Sequence, residues 1–200
     1  MSSVERTIWN RLKISRAKLQ PMKGDKSVSR EHLAEIFAEV GYKHGAEIGV
    51  FRGDYSQILC EKIPGLELLC VDPWSAYMGK SSRRMEKIYR TARDRLKKYN
   101  VEILRMPSVN AVGLVPNDSL DFVYIDGMHE FDYVMADIIL WEPKVRYGGI
   151  VAGHDYTTPY RGWGVKPATH AYVNAHSIPN WYVLVDTNEW TWFWVKRKYK

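Results

Sequence analysis

A chain of 200 residues with 46% hydrophobic content can bury one sizeable core, and its composition excludes a disordered, collagenous or coiled-coil polymer. A formal charge of +6 and a pI near 9.2 would steer phosphates or acidic substrates toward the surface, yet many ordinary enzymes carry such a balance and it selects no function. Residues 1–18 are basic without a signal-like apolar run, and no stretch approaches the roughly 20 apolar residues of a membrane helix, so a cytoplasmic protein of one domain with no membrane partner is expected.

Taken in chain order, Val4, Ile8, Trp9, Leu12 and Leu19 recur at helical spacing with basic residues between them, and 21–26 reads as a linker. A second helix is signalled by Ser29 as N-cap, a stripe of Leu33, Ile36, Phe37 and Val40, and Gly41 as the stop; its expected role is to cover the core. The division expected is therefore N-terminal cover helices over 1–42 and a core over 43–200.

From residue 46 strands and helices alternate: strand 46–50, helix 55–63, strand 66–71, a long basic helix 81–99, strands 101–106 and 121–125, helix 131–145, and strand 150–153. Such alternation implies an α/β fold with a doubly wound, mostly parallel sheet and helices on both faces. Two apolar runs, 181–185 and 190–195, joined by a turn at 186–189, predict an antiparallel C-terminal hairpin at the sheet edge. In the second of these Trp190, Trp192 and Trp194 share one face, which is expected to pack the core in preference to stacking on nucleic-acid bases. Cys60 and Cys70 lie in apolar segments without metal-binding spacing and read as buried thiols.

The segment from Glu47 to Ser56 passes from a strand into a helix through a turn in which Gly49 and Gly53 let backbone approach a ligand. About twenty residues later the next strand ends at Asp72, where a carboxylate can accept both ribose hydroxyls of a nucleoside. The third strand ends at Met106-Pro107-Ser108, which sets a small hydroxyl beside the cleft within reach of an adenine amino group.

This pattern resembles the class I S-adenosylmethionine-dependent methyltransferases, with their Rossmann-like sheet, a Glu-x-Gly-x-x-x-Gly motif and an acidic residue ending the second strand; the third glycine of dinucleotide-binding dehydrogenases is missing. The resemblance runs from about residue 46 to the C-terminus and sharpens at Asp126-Gly127-Met128-His129-Glu130-Phe131, His154-Asp155-Tyr156 and Gly164-Val165-Lys166-Pro167-Ala168, which are similar to stretches of methyltransferase family 24. Phe131 stands where that family usually has Tyr, and Met128 where it often has Asp. The resemblance implies S-adenosylmethionine as cofactor, bound by Glu47, Gly49, Val50, Gly53, Ser56, Asp72, Trp74, Ser108 and Asp126.

Methyl transfer from a sulfonium is an in-line displacement, so the site must hold acceptor, methyl and sulfur collinear and, for a hydroxyl acceptor, remove a proton. Asp126 follows the fourth strand, and His154 and Asp155 the fifth, so adjacent parallel strands would bring the three together; one His and two carboxylates suit a divalent ion such as Mg²⁺ or Mn²⁺. By similarity to catechol-type O-methyltransferases, Asp126 and His129 form the catalytic pair, His129 with an ordinary pKa near 6.5 taking the proton. The alternative is that Asp126 and Asp155 cap helices or hold loops and that His129 is a surface residue. The segment 156–166, rich in Gly and aromatics, reads either as a lid or as an ordinary loop.

The reading that follows is an O-methyltransferase for a small-molecule acceptor, with a homo-oligomer open. Two rivals stand beside it. A nucleic-acid methyltransferase would use the basic run of Arg83, Arg84, Lys87, Arg90, Arg93, Arg95, Lys97 and Lys98, and a non-catalytic S-adenosylmethionine-binding module would keep the fold without turnover.

Overall fold

The computed structural model describes residues 2–12, 21–23, 28–77, 79–157, 164–185 and 190–198. In chain order its elements are α1 (Ser3–Leu12), β1 (Met22–Lys23), α2 (Arg30–Glu39), β2 (His44–Ile48), α3 (Asp54–Lys62), β3 (Glu67–Val71), α4 (Ser82–Leu96), β4 (Val101–Leu104) and α5 (Ser108–Ala111). They continue with β5 (Leu120–Ile125), α6 (Phe131–Trp141), β6 (Val145–Gly153), α7 (Val165–Ala175), β7 (Trp181–Leu184) and β8 (Thr191–Val195).

The strands form one sheet in the order β1-β7-β8-β6-β5-β2-β3-β4. All neighbours are parallel except that β8 runs antiparallel to both β6 and β7. The chain therefore steps outward from β2 to β4, returns to β5 on the other side of β2, and leaves a switch point between the carboxyl ends of β2 and β5. A crevice opens there because the following segments depart toward opposite faces of the sheet.

Both faces are covered, which is why β5, Leu-Asp-Phe-Val-Tyr-Ile, is buried along its whole length. On one face Phe37 of α2 stacks on Phe122 of β5 with ring centroids 4.3 Å apart, and Ile8 and Leu12 of α1 join the same cluster. The cover helices are thus part of the core, each large side chain contributing about 1.5 to 3 kcal/mol by burial. The other face packs α6 and α7 against Val123, Val151, Trp192 and Trp194. Alternation along β8 sends those two tryptophans to one face and Phe193 and Val195 to the other, so the tryptophan row is core.

Local chemistry explains the boundaries. The Ser29 side chain accepts from Glu31 N–H at 3.3 Å while His32 Nδ1 accepts from Ser29 N–H at 3.1 Å, a reciprocal cap that starts α2. On α4 the buried stripe is Met85, Ile88, Ala92 and Leu96, which leaves the intervening basic residues on the outer face.

Several boundaries differ from the sequence reading. The strand expected to begin at 150 begins at Val145, because Arg146 is anchored to Asp121 at 2.7 Å and the β5–β6 register shifts between Leu120 and Phe122, which lets the polar stretch remain in the sheet. The helix expected through 145 stops at Trp141, after which Pro143 sits in a short 3₁₀ turn. Met22 and Lys23, within the expected linker, pair with β7 and make the hairpin's outer neighbour. Leu19 and the turn at 186–189 lie outside the described residues. Cys60 and Cys70 are free thiols, Cys70 buried and Cys60 half-buried.

Candidate functional site

The crevice is built on one close backbone crossing. Asp126 N–H donates to Ile48 O at 2.7 Å and Gly49 N–H to Val71 O at 2.8 Å, so the ends of β5, β2 and β3 are laced together. Gly49 has φ +91°, and a Cβ there would lie 2.1 Å from the Asp126 carbonyl oxygen, so no larger residue fits. Phe51, Trp74 and Asp155, all non-glycine, also have positive φ (50°, 43° and 56°). Such conformations persist only where surrounding contacts over-determine them; Phe51 and Asp155 line the crevice, and Trp74 is tied to it through Phe51 O and Asp72.

Asp72 provides much of that determination. One carboxylate oxygen accepts from Val50 N–H at 3.1 Å and Phe51 N–H at 2.9 Å, and the other from Trp74 N–H at 2.7 Å. The group read as a ribose acceptor therefore also folds the glycine-rich turn. Burial pushes its pKa up, and the amides of Phe51, Trp74 and Val50 oppose that rise.

Two cavities of about 350 Å³ each meet at this crossing. The first is mostly apolar and runs from Gly49 and Asp72 past Pro73 to Ser108, Tyr133 and Asp137. The second contains Arg30, Glu47, Asp126, His129, His154 and Asp155. Gly49, Phe51, Tyr77, Asp126 and Gly127 line both, so a group bound in one lies against a group bound in the other. Of the residues expected to hold a cofactor, Gly49, Asp72, Ser108 and Asp126 line the first cavity, while Glu47 and Val50 line the second. Gly53, Ser56 and Trp74 line neither. Gly53 instead caps α3, the Ser56 hydroxyl donates to Glu47 from below, and the Trp74 indole N–H donates to Phe51 O at 2.8 Å.

The second cavity carries a tight charge cluster. His129 Nε2 lies 2.8 Å from Asp155 Oδ2 and 3.9 Å from Asp126 Oδ1, and His154 Nδ1 lies 3.9 Å from Asp126 and 3.8 Å from Asp155. Burial disfavours the His129 imidazolium, but the two carboxylates outweigh it and carry its pKa up to about 9. The value near 6.5 expected for this side chain does not apply to the cluster as it stands: at neutral pH the imidazole holds its proton. Asp155, although buried, is held well below the usual carboxylate range by the same two imidazoles.

Asp126, His154 and Asp155 each offer a ligand atom, and these atoms lie within 4.8 Å of one another. The donor set fits a divalent ion, and its imidazole favours a transition ion such as Mn²⁺ over Mg²⁺. Beneath them Glu47 is fully enclosed; burial pushes its pKa up to about 8 against the opposing bond from Ser56. Gly164 N–H donates to His129 O at 2.6 Å, and a Cβ on Gly164 would lie 2.2 Å from Phe131 N, so the Gly-Val-x-x-Ala stretch docks the start of α7 against the His129 loop. Residues 158–163, most of the expected lid, lie outside the described residues.

Several lining residues were not found by sequence reading, Arg30, Asp137 and Tyr77 among them. Arg30 reaches in from the cover helix, its guanidinium 3.7 Å from Asp126 Oδ2 and 5.0 Å from the Tyr55 ring centroid. A cation at the first position of a helix opposes the macrodipole, and that conflict was the available signal. Asp137 is a carboxylate on an otherwise apolar face of α6, and Tyr77 follows Asp72 at a distance no motif fixes.

Residues 46–156 match the methyltransferase domain of methyltransferase family 24. The chain belongs to this family. It is accordingly a class I S-adenosylmethionine-dependent methyltransferase. The methyltransferase superimposes on the O-methyltransferase TomG from Streptomyces achromogenes, solved with S-adenosylmethionine, with a TM-score of 0.62 and 15% identity over 98% of this chain and 100% of that one. An O-methyltransferase from Bacillus cereus, solved with S-adenosylhomocysteine, gives 0.62 and 14% over 98% and 91%. An rRNA methylase from Streptococcus thermophilus gives 0.61 and 15% over 86% and 98%. At these identities the likeness is one of fold. No curated protein matches the chain. Among the described residues, no helix of the methyltransferase is long and apolar enough to cross a membrane.

Proposed function

We propose that this methyltransferase transfers a methyl group to an oxygen of a small-molecule acceptor, with S-adenosylmethionine in the first cavity and the acceptor in the second. The observation that carries this reading is the shared wall of the two cavities, which sets a mostly apolar slot directly against a cluster of two carboxylates and two imidazoles. In-line displacement needs that adjacency, and holding the partners together supplies most of the acceleration.

The residues divide the work. Gly49 and the amides folded by Asp72 shape the slot for a nucleoside, and Asp126, which lines both cavities, offers negative charge where a sulfonium would sit. Arg30 beside Asp126 and Tyr55 orients that carboxylate. With the charge of Asp126 and Asp155 engaged by another cation, His129 would take the acceptor's proton. A divalent ion held by Asp126, His154 and Asp155 would supply that charge and lower the pKa of an acceptor hydroxyl.

A nucleic-acid acceptor is the second reading, favoured by a groove lined by Arg52, Arg84, Lys87 and Arg95 beside the turn that carries Phe51. Calorimetry with S-adenosylhomocysteine tests the cofactor site: a complex at micromolar concentration is expected, and no binding at millimolar concentration overturns the reading. Binding to a generic RNA or DNA duplex that weakens steeply with salt would favour the second reading.

A further inference from the structure

The cations of α4 and of the second cavity are unequally matched. Arg30 faces Asp126, and Arg90, Arg93 and Arg95 lie against Glu86, Asp94 and Asp54. Lys80, Arg52, Arg84 and Lys87 have no carboxylate partner among the described residues. These four are not scattered. Lys80 lines the second cavity, its Nζ 4.3 Å from the Tyr77 ring centroid and 5.8 Å from that of Phe51. The Arg52 guanidinium lies 5.3 Å from the same Phe51 centroid and lines, with Arg84, Lys87 and Arg95, a groove of about 540 Å³. Two unneutralised charges therefore share one ring. An aromatic ring attracts a cation through its quadrupole but cannot cancel the charge, so the two repel each other until an anion lies against them. Backbone holds the arrangement: Phe51 has φ +50° with its N–H on Asp72, and Lys80 N–H donates to Tyr77 O at 2.8 Å beside Gly79, whose φ is +74°.

We propose that the acceptor is a phosphorylated small molecule, with its hydroxyl at the cluster of Asp126, His129, His154 and Asp155 and its phosphoryl group against Lys80 in the same cavity. Arg52, on the other side of the shared ring contact, takes a further anionic oxygen. A phosphoryl group matches this pair because it carries more than one negative charge and several acceptor oxygens, and a guanidinium can meet two of them side by side. A lone carboxylate would neutralise one cation and leave the rest of the row. Arg84 and Lys87 continue the positive field along the groove and raise the local concentration of such a compound.

This inference rests on the reading that the cofactor fills the first cavity and the acceptor the second, and one set of titrations separates their failures. Calorimetry at physiological ionic strength adds inorganic pyrophosphate to the metal-stripped protein, once alone and once saturated with S-adenosylhomocysteine. The saturated wild type should bind pyrophosphate below millimolar concentration. Lys80→Gln and Arg52→Gln should each weaken that binding by about tenfold or more, as for a hydrogen bond to a charged group. Arg83→Gln removes an exposed charge of α4 outside the groove and should change it by no more than about twofold, since salt screens exposed charges. Failure of the wild type to bind S-adenosylhomocysteine would overturn the cofactor reading and this inference with it. Normal formation of that complex without pyrophosphate binding at millimolar concentration would overturn the inference alone, whether or not the variants fold. So would expulsion of pyrophosphate by S-adenosylhomocysteine, which would give Lys80 and Arg52 to the cofactor's own carboxylate. Equal weakening by all three substitutions would reduce the effect to a general attraction toward a basic surface and overturn it as well. A single-stranded RNA oligomer that depends on Lys80 and Arg52 and binds more than about a hundredfold tighter than pyrophosphate would replace the small molecule by a polynucleotide.

Discussion

The two cavities are built by different means. The first is shaped by backbone: a crossing that tolerates only glycine at position 49, and a turn whose amides converge on Asp72. The second is made by side chains that arrive from the β5 and β6 loops and from α2, held by mutual attraction among His129, His154, Asp126, Asp155 and Arg30. Backbone cavities are rigid and specify a ligand's shape, whereas a cluster of charges specifies chemistry and responds to what binds. Substitutions in the second should therefore change turnover without altering cofactor affinity, and substitutions in the first should change affinity or stability.

The largest effect belongs to the charge cluster. His129→Ala should lower turnover by about 10² to 10⁴, the usual contribution of a general base, while calorimetry shows cofactor affinity within about threefold of the wild type. Dialysis against a chelator should abolish turnover, and added Mn²⁺ or Mg²⁺ should restore it, again with cofactor binding spared. Full activity of His129→Ala would remove the base from the mechanism, and full activity in excess chelator would remove the ion. Loss of cofactor affinity in step with turnover would erase the distinction between the two cavities.

That contrast also explains how much of the molecule could be read from its residues. Backbone sites announce themselves, since Gly49 and an acidic residue at the end of the next strand follow from the strand-turn-helix geometry. Side-chain sites draw on the whole fold: Arg30 is more than ninety residues from Asp126 in sequence, and its one local signal, a cation set against the helix macrodipole, does not say what it will face. The same holds for Asp137, one polar position in an amphipathic helix until its surroundings are known. Among the elements, α7 was hidden because Pro167 and the glycines before it read as loop, although proline is tolerated in a helix's first turn, where its missing N–H would be unpaired anyway. The start of β6 was hidden because Arg146, Gly148 and Gly149 break the apolar pattern, and it takes the tie to Asp121 to hold them in the sheet.

Glu47 lies beneath the charge cluster of the second cavity and offers the next effect. An ordinary Glu loses its proton near 4.5, but burial holds that of Glu47 to about 8 in the folded protein. Between those values the folded state binds a proton that the unfolded state has lost. The contribution to stability is therefore fully present below pH 4.5 and is lost as pH rises through 8. A displacement of that size corresponds to roughly 2 to 5 kcal/mol. Glu47→Gln keeps an acceptor for Ser56 and cannot ionise, so urea denaturation should show a flatter decline in its stability between pH 5 and 8 than in the wild type. Parallel curves for the two proteins would mean that Glu47 ionises in the folded state at little cost and that the floor of the crevice is wetter than its burial implies.

The smallest of the three effects tests the backbone cavity itself, through Asp72. Three amides converge on this carboxylate, and an oxygen can accept more than one bond, so Asp72 can hold the turn and still accept from a ribose hydroxyl. Asp72→Ala removes both functions. If the ribose bonds dominate, cofactor affinity should fall by roughly 1.5 to 3 kcal/mol, the range for hydrogen bonds to a charged group, while denaturation shows a folded domain of near wild-type stability. If the amides dominate, the released N–H groups of Val50, Phe51 and Trp74 lose their acceptor, and both stability and affinity should fall together as the turn relaxes. Asp72→Asn helps to separate the two, since its carbonyl oxygen can keep the bonds from Val50 and Phe51, while the amide nitrogen in the place of Oδ1 can accept neither from Trp74 N–H nor from ribose. Loss of affinity with stability kept in the Asn variant would assign Asp72 to the ribose. Unchanged affinity in both variants would move the ribose site to another part of the cavity and leave Asp72 with the turn alone.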